Sequence, residues 1–336
     1  MNKAYLAVLV VSLIAGCASD PARERPQWLD GRDPRYPAVQ YLSATGSAQD
    51  PERAEDRARG NLAEIFEARV EARSEDTRRF ERYRQGEQSS VSEGEEITRR
   101  LAVSSDVVLK GVRIAERWTP PESNAHYALA VLSRPQSSAS LRQEIRRLDG
   151  ATEAVMADGA RSDDRLRQAG AVIRALALQL ERSGYQGMLQ VVDPSGRGIA
   201  PEWNLGKLEV QLDSLLAGIS VGAQAQEQRL RELVAGAVAD AGFSDAAPGD
   251  TAEYLLVAAM DRYDVGQHDG WYWLRADLSL TLKRGPAGAI VGSETWPLKV
   301  AGLSPEAAEG RLWGAARETL RSDLREALIG FATAAR

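Results

Sequence analysis

The constraint that most narrows the fold of this chain is its single cysteine, at position 17 of 336 residues. No disulfide can form within the chain, so any compact unit must stand without one. The cysteine closes a distinctive amino-terminal stretch. Met1-Asn2-Lys3 is short and positive, and residues 5–15 (Tyr-Leu-Ala-Val-Leu-Val-Val-Ser-Leu-Ile-Ala) carry no charge. A run of this length is too short to span a bilayer as a helix, which takes roughly 20 residues. It fits the apolar core of a secretory signal. No later apolar stretch is long enough for a transmembrane helix, so none is expected.

Leu13-Ile14-Ala15-Gly16-Cys17 resembles the lipobox of bacterial lipoproteins. The resemblance implies cleavage between Gly16 and Cys17, a diacylglycerol on the Cys17 thiol, and acylation (palmitate or a similar chain) of the new amine. Each buried methylene then contributes about 0.8 kcal/mol, and several chains make a lasting anchor. The alternative is an ordinary signal with a chance cysteine at its end. Ala18 follows rather than Asp, which by the sorting rule of enteric lipoproteins implies the periplasmic face of the outer membrane. No cofactor is expected beyond this covalent lipid.

Apolar residues make up 43% of the chain, enough for ordinary cores. The formal net charge is −6, and −7 once Met1–Gly16, with Lys3 as its one charged side chain, is removed. That balance argues against a nucleic-acid partner, which calls for a basic patch. The expected fold class is α+β: two small antiparallel-sheet domains with packed helices, joined by a long helical segment. The expected divisions are a signal (1–16), a tether (17–38), an N-terminal α+β domain (39–135), a helical hairpin or stalk (136–184) and a C-terminal α+β domain (185–336).

In the tether, rich in Pro, Arg and Asp, Trp28 and Tyr36 are candidates to dock on the first domain or to meet the membrane interface. A strand from Val39 ends near Gly46. Asp50-Pro51-Glu52 then reads as N-cap, N1 and N2 of a helix, with apolar residues at 54, 58, 62, 65, 66 and 70. The stretch 71–100 is nearly all polar, with mobility expected around 85–96. Strands over 106–118 and 125–133 flank a loop at 119–124. Tyr41-Leu42-Ser43-Ala44-Thr45-Gly46, then Ala54, Ala58 and Asn61-Leu62-Ala63-Glu64-Ile65-Phe66, then Trp118 and Tyr127-Ala128-Leu129-Ala130-Val131-Leu132-Ser133-Arg134, resemble the Lpp-twenty-type family of bacterial outer-membrane lipoproteins. The resemblance covers about residues 28–180. It implies a periplasmic α+β domain with a structural strand-turn-helix motif, and it carries over no catalytic residue.

Residues 137–183 hold a 4-3 apolar spacing from Leu141 to Leu180, read either as one long helix or as a hairpin broken near Gly159. A coiled-coil dimer through 141–180 is a further alternative. Beyond it, strands are expected at 188–192 and 205–216 and a helix over 223–241. Three more strands (253–263, 270–284, 290–300, the last an edge because of Pro297) and a helix opening at Ser304-Pro305-Glu306 complete the chain.

Gly218-Ile219-Ser220-Val221-Gly222 matches the nucleophile-elbow pattern, with His268, Asp261 and Asp264 downstream. The expected meander lacks the large parallel sheet such a hydrolase needs, so no catalytic residue is assigned and a serine hydrolase using Ser220 stands as the alternative. The two histidines, His126 and His268, lie far apart in sequence, and no metal site is expected. Alternation in 271–284 puts Trp271, Trp273 and Arg275 on the polar face of a strand, a candidate binding surface unless another part of the chain covers it. The expected role is non-enzymatic scaffolding or recognition at the cell envelope, toward peptidoglycan or an envelope or flagellar assembly partner. A self-assembling structural lipoprotein is a second alternative.

Overall fold

The computed structural model describes residues 25–85, 110–246, 252–285 and 288–334. Gly16, Cys17, residues 86–96 of the segment expected to be mobile and residues 106–109 of an expected strand lie outside them. The chain forms two compact units: residues 1–141 with 187–198, and residues 142–186 with 199–336. The class is α+β; the expected signal, 1–16, and residues 17–24 of the expected tether lie outside the described residues, and the two units cut across the other expected divisions. The helical segment is no separate joining domain, because its residues are shared between the two units.

In the first unit, β1 (Tyr41–Ala48), β2 (Arg113–Trp118) and β3 (His126–Ser133) form an antiparallel sheet in the order β1-β3-β2, and α1 runs over Pro51–Gln85. Asp50 caps α1, its Oδ1 accepting from Arg53 N at 3.0 Å. Ala54, Ala58, Leu62, Phe66 and Val70 form the buried stripe, while Ile65 falls off it and is exposed. The stripe meets Leu42, Ala44, Ala128, Ala130 and Leu132. The other face of β3, Leu129 and Val131, packs on Trp28, in the 3-10 turn Gln27–Asp30. The part of the tether from Gln27 onward is thus folded into the unit. Tyr36 Oη donates to Glu116 at 2.8 Å, and burial followed by this bond raises its pKa. Both faces of β3 are covered, and so five consecutive residues, Ala128–Leu132, are buried.

Gly46 sets how closely α1 can approach. A Cβ there would lie 2.2 Å from Ala58 N and 2.5 Å from Ala54 O, both backbone atoms. On one flank of the stripe Arg57 and Asn61 donate to Ser47 O and Thr45 O of the edge strand, and on the other Glu55 pairs with Arg117 of β2 at 2.6 Å.

The expected choice between stalk and hairpin resolves as two helices, α2 (Arg134–Ala160) and α3 (Arg165–Val192). Within the second unit they run antiparallel: Gln179 donates to Thr152 Oγ1 at 2.9 Å and Arg182 to Asp149 at 2.8 Å. Asp164 caps α3. The buried line on α3 runs Val172, Ala175, Gln179, Arg182, not Ile173, Leu176, Leu180, which are half-buried. The expected strand at 188–192 is the end of α3. The expected strand at 205–216 is α4 (Leu205–Ala217), capped by Asn204 accepting from Lys207 N; the apparent alternation of 208, 210 and 212 conceals the i, i+4 set Leu208, Leu212, Leu216.

The second sheet has the order β5-β4-β6-β7-β8, with β4 (Ser220–Ala225), β5 (Ser244–Ala246), β6 (Tyr254–His268), β7 (Trp271–Arg284) and β8 (Ile290–Gly302). It is mixed: β4 runs parallel to both β5 and β6. α5 (Gln228–Asp240) carries the chain from β4 back to β5 as a crossover, which makes that pair parallel. β4 occupies residues expected to be turn and helix. The meander β6-β7-β8 and its edge strand agree with expectation. With α6 (Pro305–Ala334) and the other helices the sheet buries one face: Leu256, Ala258, Met260, Ala276, Leu278, Leu280, Leu282 and Leu298 join Leu312, Trp313, Ala316, Leu320, Leu324 and Leu328. Ser304 caps α6, its Oγ accepting from Ala307 N.

Candidate functional site

The uncovered face of this sheet holds the polar half of each strand. In β7 it reads Trp271, Trp273, Arg275, Asp277, Ser279, Thr281, all exposed or half-buried while Ala276, Leu278, Leu280 and Leu282 are buried. Strand register builds transverse rows from it. Arg275 lies between Tyr263 of β6 and Lys299 of β8; Trp273 lies between Gly266 and Ala301; Trp271 faces His268. The far end is closed by a two-residue turn, Asp269-Gly270, with φ of +52° and +80°, the Asp-Gly pairing that a type I′ hairpin favours. Asp269 itself pairs with His268 at 3.5 Å.

Trp271, Trp273 and Arg275 therefore share one face as expected. Trp271 is 38% exposed, and Trp273 is half-buried. What accompanies them is cationic. Lys299 Nζ sits 4.6 Å from the Trp273 ring centroid and the Arg311 guanidinium 5.7 Å from that of Trp271. Arg311 also donates to Ala301 O at 2.6 Å. Sequence reasoning misses Lys299 and Arg311; the first can be found only once the β7–β8 register is known, the second not at all, since it arrives from a helix. Tyr263 is raised in pKa, first by the charge of Asp277 on the adjacent strand, which also accepts its hydroxyl.

The elbow pattern does not assemble. Gly218 caps α4, and Ser220 opens β4, so the order is helix-to-strand where an elbow needs strand-to-helix. Ser220 Oγ accepts from Glu253 N at 2.9 Å. Val221 lies beside Tyr254, and His268 stands fourteen residues further along β6, roughly 45 Å at strand rise. Among the described residues no group of three His, Cys, Asp or Glu is placed to hold a metal ion. His126, in the first unit, meets Thr119 Oγ1 at 2.8 Å. One further polar cluster stands at the start of α3: Tyr254 Oη donates to Asp164 Oδ1 at 2.6 Å, and Arg284 pairs with the other oxygen. Burial pushes the Tyr254 hydroxyl up to about 12.

Fold and surface together define an α+β protein whose first unit is a helix packed on a three-stranded sheet and whose second unit presents an open sheet face. Residues 26–133 match the LPP20 lipoprotein family. The match takes in Trp28, α1 and the three strands, and it stops at the start of α2, so the resemblance expected to reach residue 180 ends there. Comparison with curated proteins finds no match. Among solved structures the chain is similar to the secreted protein HP1454 of Helicobacter pylori, with 12% identity over 84% of this chain and 98% of that one and a TM-score of 0.36. It is also similar to a minor lipoprotein of Acinetobacter baumannii, with 11% identity over 34% of this chain and 90% of that one and a TM-score of 0.24. The family match supports a lipoprotein of the cell envelope. No described helix is long and apolar enough to cross a membrane.

Proposed function

We propose that this protein is held on the periplasmic face of the outer membrane by lipid on Cys17 and works there by recognition or scaffolding rather than catalysis, toward peptidoglycan or an envelope assembly partner. The observation that carries the reading is the LPP20 match over 26–133 downstream of Leu13-Ile14-Ala15-Gly16-Cys17. The separation of Ser220 from His268 supports the non-catalytic part of it. The test is metabolic labelling with a palmitate analogue, together with membrane fractionation and a pull-down from solubilised envelopes with purified sacculi in parallel. Wild type is expected to take label and to fractionate with the outer membrane, and Cys17→Ser to lose both. Label on the Cys17→Ser protein would overturn the anchor, and labelling of Ser220 by a serine-directed covalent probe would overturn the non-catalytic role.

A further inference from the structure

We propose that the far end of the open sheet face, built from Trp271, Trp273, Arg275, Lys299 and Arg311, binds an anionic phospholipid surface, a second membrane contact independent of the lipid on Cys17. This names a partner for the recognition surface in the reading above. Charge sets this patch apart. The chain is acidic, at −6, yet three cations gather here, and among the described residues none of them has a carboxylate within ion-pair distance. Lys299 meets the Trp273 ring; Arg311 meets the Trp271 ring and a backbone carbonyl. Arg275 and Lys299 are directly opposite each other across β7 and β8 and both exposed, an arrangement of like charges that destabilises a sheet. The acids of the adjoining row, Asp277 and Asp261, lie opposite each other on β7 and β6, and Asp277 is engaged by the Tyr263 hydroxyl. An external anion relieves the repulsion that the fold leaves in place.

The cations also keep apolar company. Tyr263, Trp271 and Leu303 are 52%, 38% and 71% exposed, and Leu303 stands one residue beyond the end of β8, next to the row that holds Tyr272 and Gly302. Indole and phenol rings interleaved with Lys and Arg suit the headgroup layer, where an amphipathic ring is stable and each cation meets phosphate. A sugar ring would need an indole face to stack on, and each indole already has a cation over one face. The turn tip carries Asp269 and is the wrong sign for an anionic surface, so the flank of the hairpin makes the contact, not its tip.

The test uses the lipid-free chain from Ala18 onward, which holds every described residue, in co-sedimentation with phosphatidylcholine vesicles and with vesicles containing phosphatidylglycerol. Binding is expected to the anionic vesicles alone and to weaken as salt rises. Arg275→Gln/Lys299→Gln removes two cations and is expected to lower partitioning about 30-fold, about fivefold for each. These side chains are exposed and mutually repulsive, so the fold is retained. Trp271→Ala/Trp273→Ala is expected to weaken binding as well, and to remove the quenching of tryptophan fluorescence by brominated acyl chains. Absence of binding to anionic vesicles, or binding indifferent to Arg275→Gln/Lys299→Gln, overturns the proposal. So does binding to purified sacculi that needs the same residues while vesicles are ignored, which would make the face a wall site. None of these failures touches the Cys17 anchor, which palmitate labelling tests by itself.

Discussion

Substituting Gly46 by Ala adds one methyl at the place where β1 and α1 are closest. The new carbon would lie 2.2 Å from Ala58 N, 2.5 Å from Ala54 O and 2.7 Å from Arg57 C. Ordinary contact begins near 3.4 Å, and all three obstacles are helix backbone, which no rotamer change can clear. The helix must retreat by about 1 Å, loosening a stripe in which Ala54, Ala58, Leu62 and Phe66 are at most 1% exposed. Overpacking of this kind costs about 1–3 kcal/mol, and the rigid neighbours put the expectation at the upper end. Gly60 is the control. It lies on the same helix, and a methyl added there would have nothing within 4 Å, so Gly60→Ala is expected to stabilise by about 0.5–1 kcal/mol through helix propensity. Because the chain has two units, a single unfolding midpoint is a poor readout. Hydrogen exchange by mass spectrometry separates them: amides of 41–48 and 128–132 report the first unit, and those of 276–282 serve as the internal reference. In Gly46→Ala the first set is expected to exchange roughly 30- to 150-fold faster, and in Gly60→Ala a few-fold slower, with the reference unchanged. Equal protection in Gly46→Ala and wild type would refute the claim that this contact sets the packing distance.

Tyr254→Phe removes a hydrogen bond to a carboxylate and is expected to destabilise the second unit by about 1.5–3 kcal/mol at neutral pH. Because burial raises the Tyr254 pKa to about 12, its stabilising contribution is complete below the unfolded value near 10 and fades as pH rises from there through about 12; the variant should lose that alkaline slope in urea titrations. Asp149→Ala leaves the Arg182 guanidinium, whose side chain is 3% exposed, with no carboxylate and only the carbonyls of Ile199 and Ala200, and is expected to cost about 3 kcal/mol, whereas Asp149→Leu/Arg182→Met should cost far less in the same urea titrations. Ser220→Ala loses only the bond from Glu253 N, so a stability loss of about 1 kcal/mol is expected with no change in any hydrolase activity. Ser304→Ala should cost about 1 kcal/mol, seen as faster exchange in the first turn of α6.

The first unit is legible in the sequence because its signals are local and agree with each other. Asp50-Pro51-Glu52 caps a helix whose stripe repeats every four residues, and Ala128–Leu132 is apolar without a break because both faces of β3 are covered. The meander of the second unit is legible for the same reason, since strict alternation over 271–284 admits one register of faces. The failures have a common cause. In α4 a short helix shows Leu at 208 and 212 with Val210 between them, and over so few residues period 2 and period 4 coincide. In β4 the strand is Ser-Val-Gly-Ala-Gln-Ala, with almost no strand propensity; it exists because β5 and β6 flank it. On α3 the buried line includes Gln179 and Arg182, which no hydrophobic pattern can reveal, since they are buried only because Thr152 and Asp149 on α2 satisfy them. The candidate surface is half legible. Trp271, Trp273 and Arg275 follow from alternation, but Lys299 depends on pairing and Arg311 on where α6 is laid.

The two units meet one structural demand in the same way. Each ends a sheet with an exposed edge strand, β1 in the first and β8 in the second, and each edge strand runs directly into a helix opened by a capped proline: Asp50-Pro51-Glu52 and Ser304-Pro305-Glu306. In each, a glycine near the strand end admits helix backbone. A Cβ on Gly302 would lie 2.3 Å from Ala308 N, the counterpart of the Gly46 contact. In each, the arginine seven residues past the cap reaches back to a carbonyl of that strand, Arg57 to Ser47 O and Arg311 to Ala301 O, both at 2.6 Å. An unpaired strand edge invites pairing with a second chain, and a carbonyl already bonded to an arginine is a poor acceptor for one. The arrangement leaves different residues free in the two cases. Arg57 and Asn61 are both turned to their edge, whereas Arg311 also lies over Trp271, so in the second unit the helix that guards the edge also supplies a cation to the open face. The link is geometric: moving the start of α6 would expose the edge of β8 and strip the Trp271 ring of its cation together.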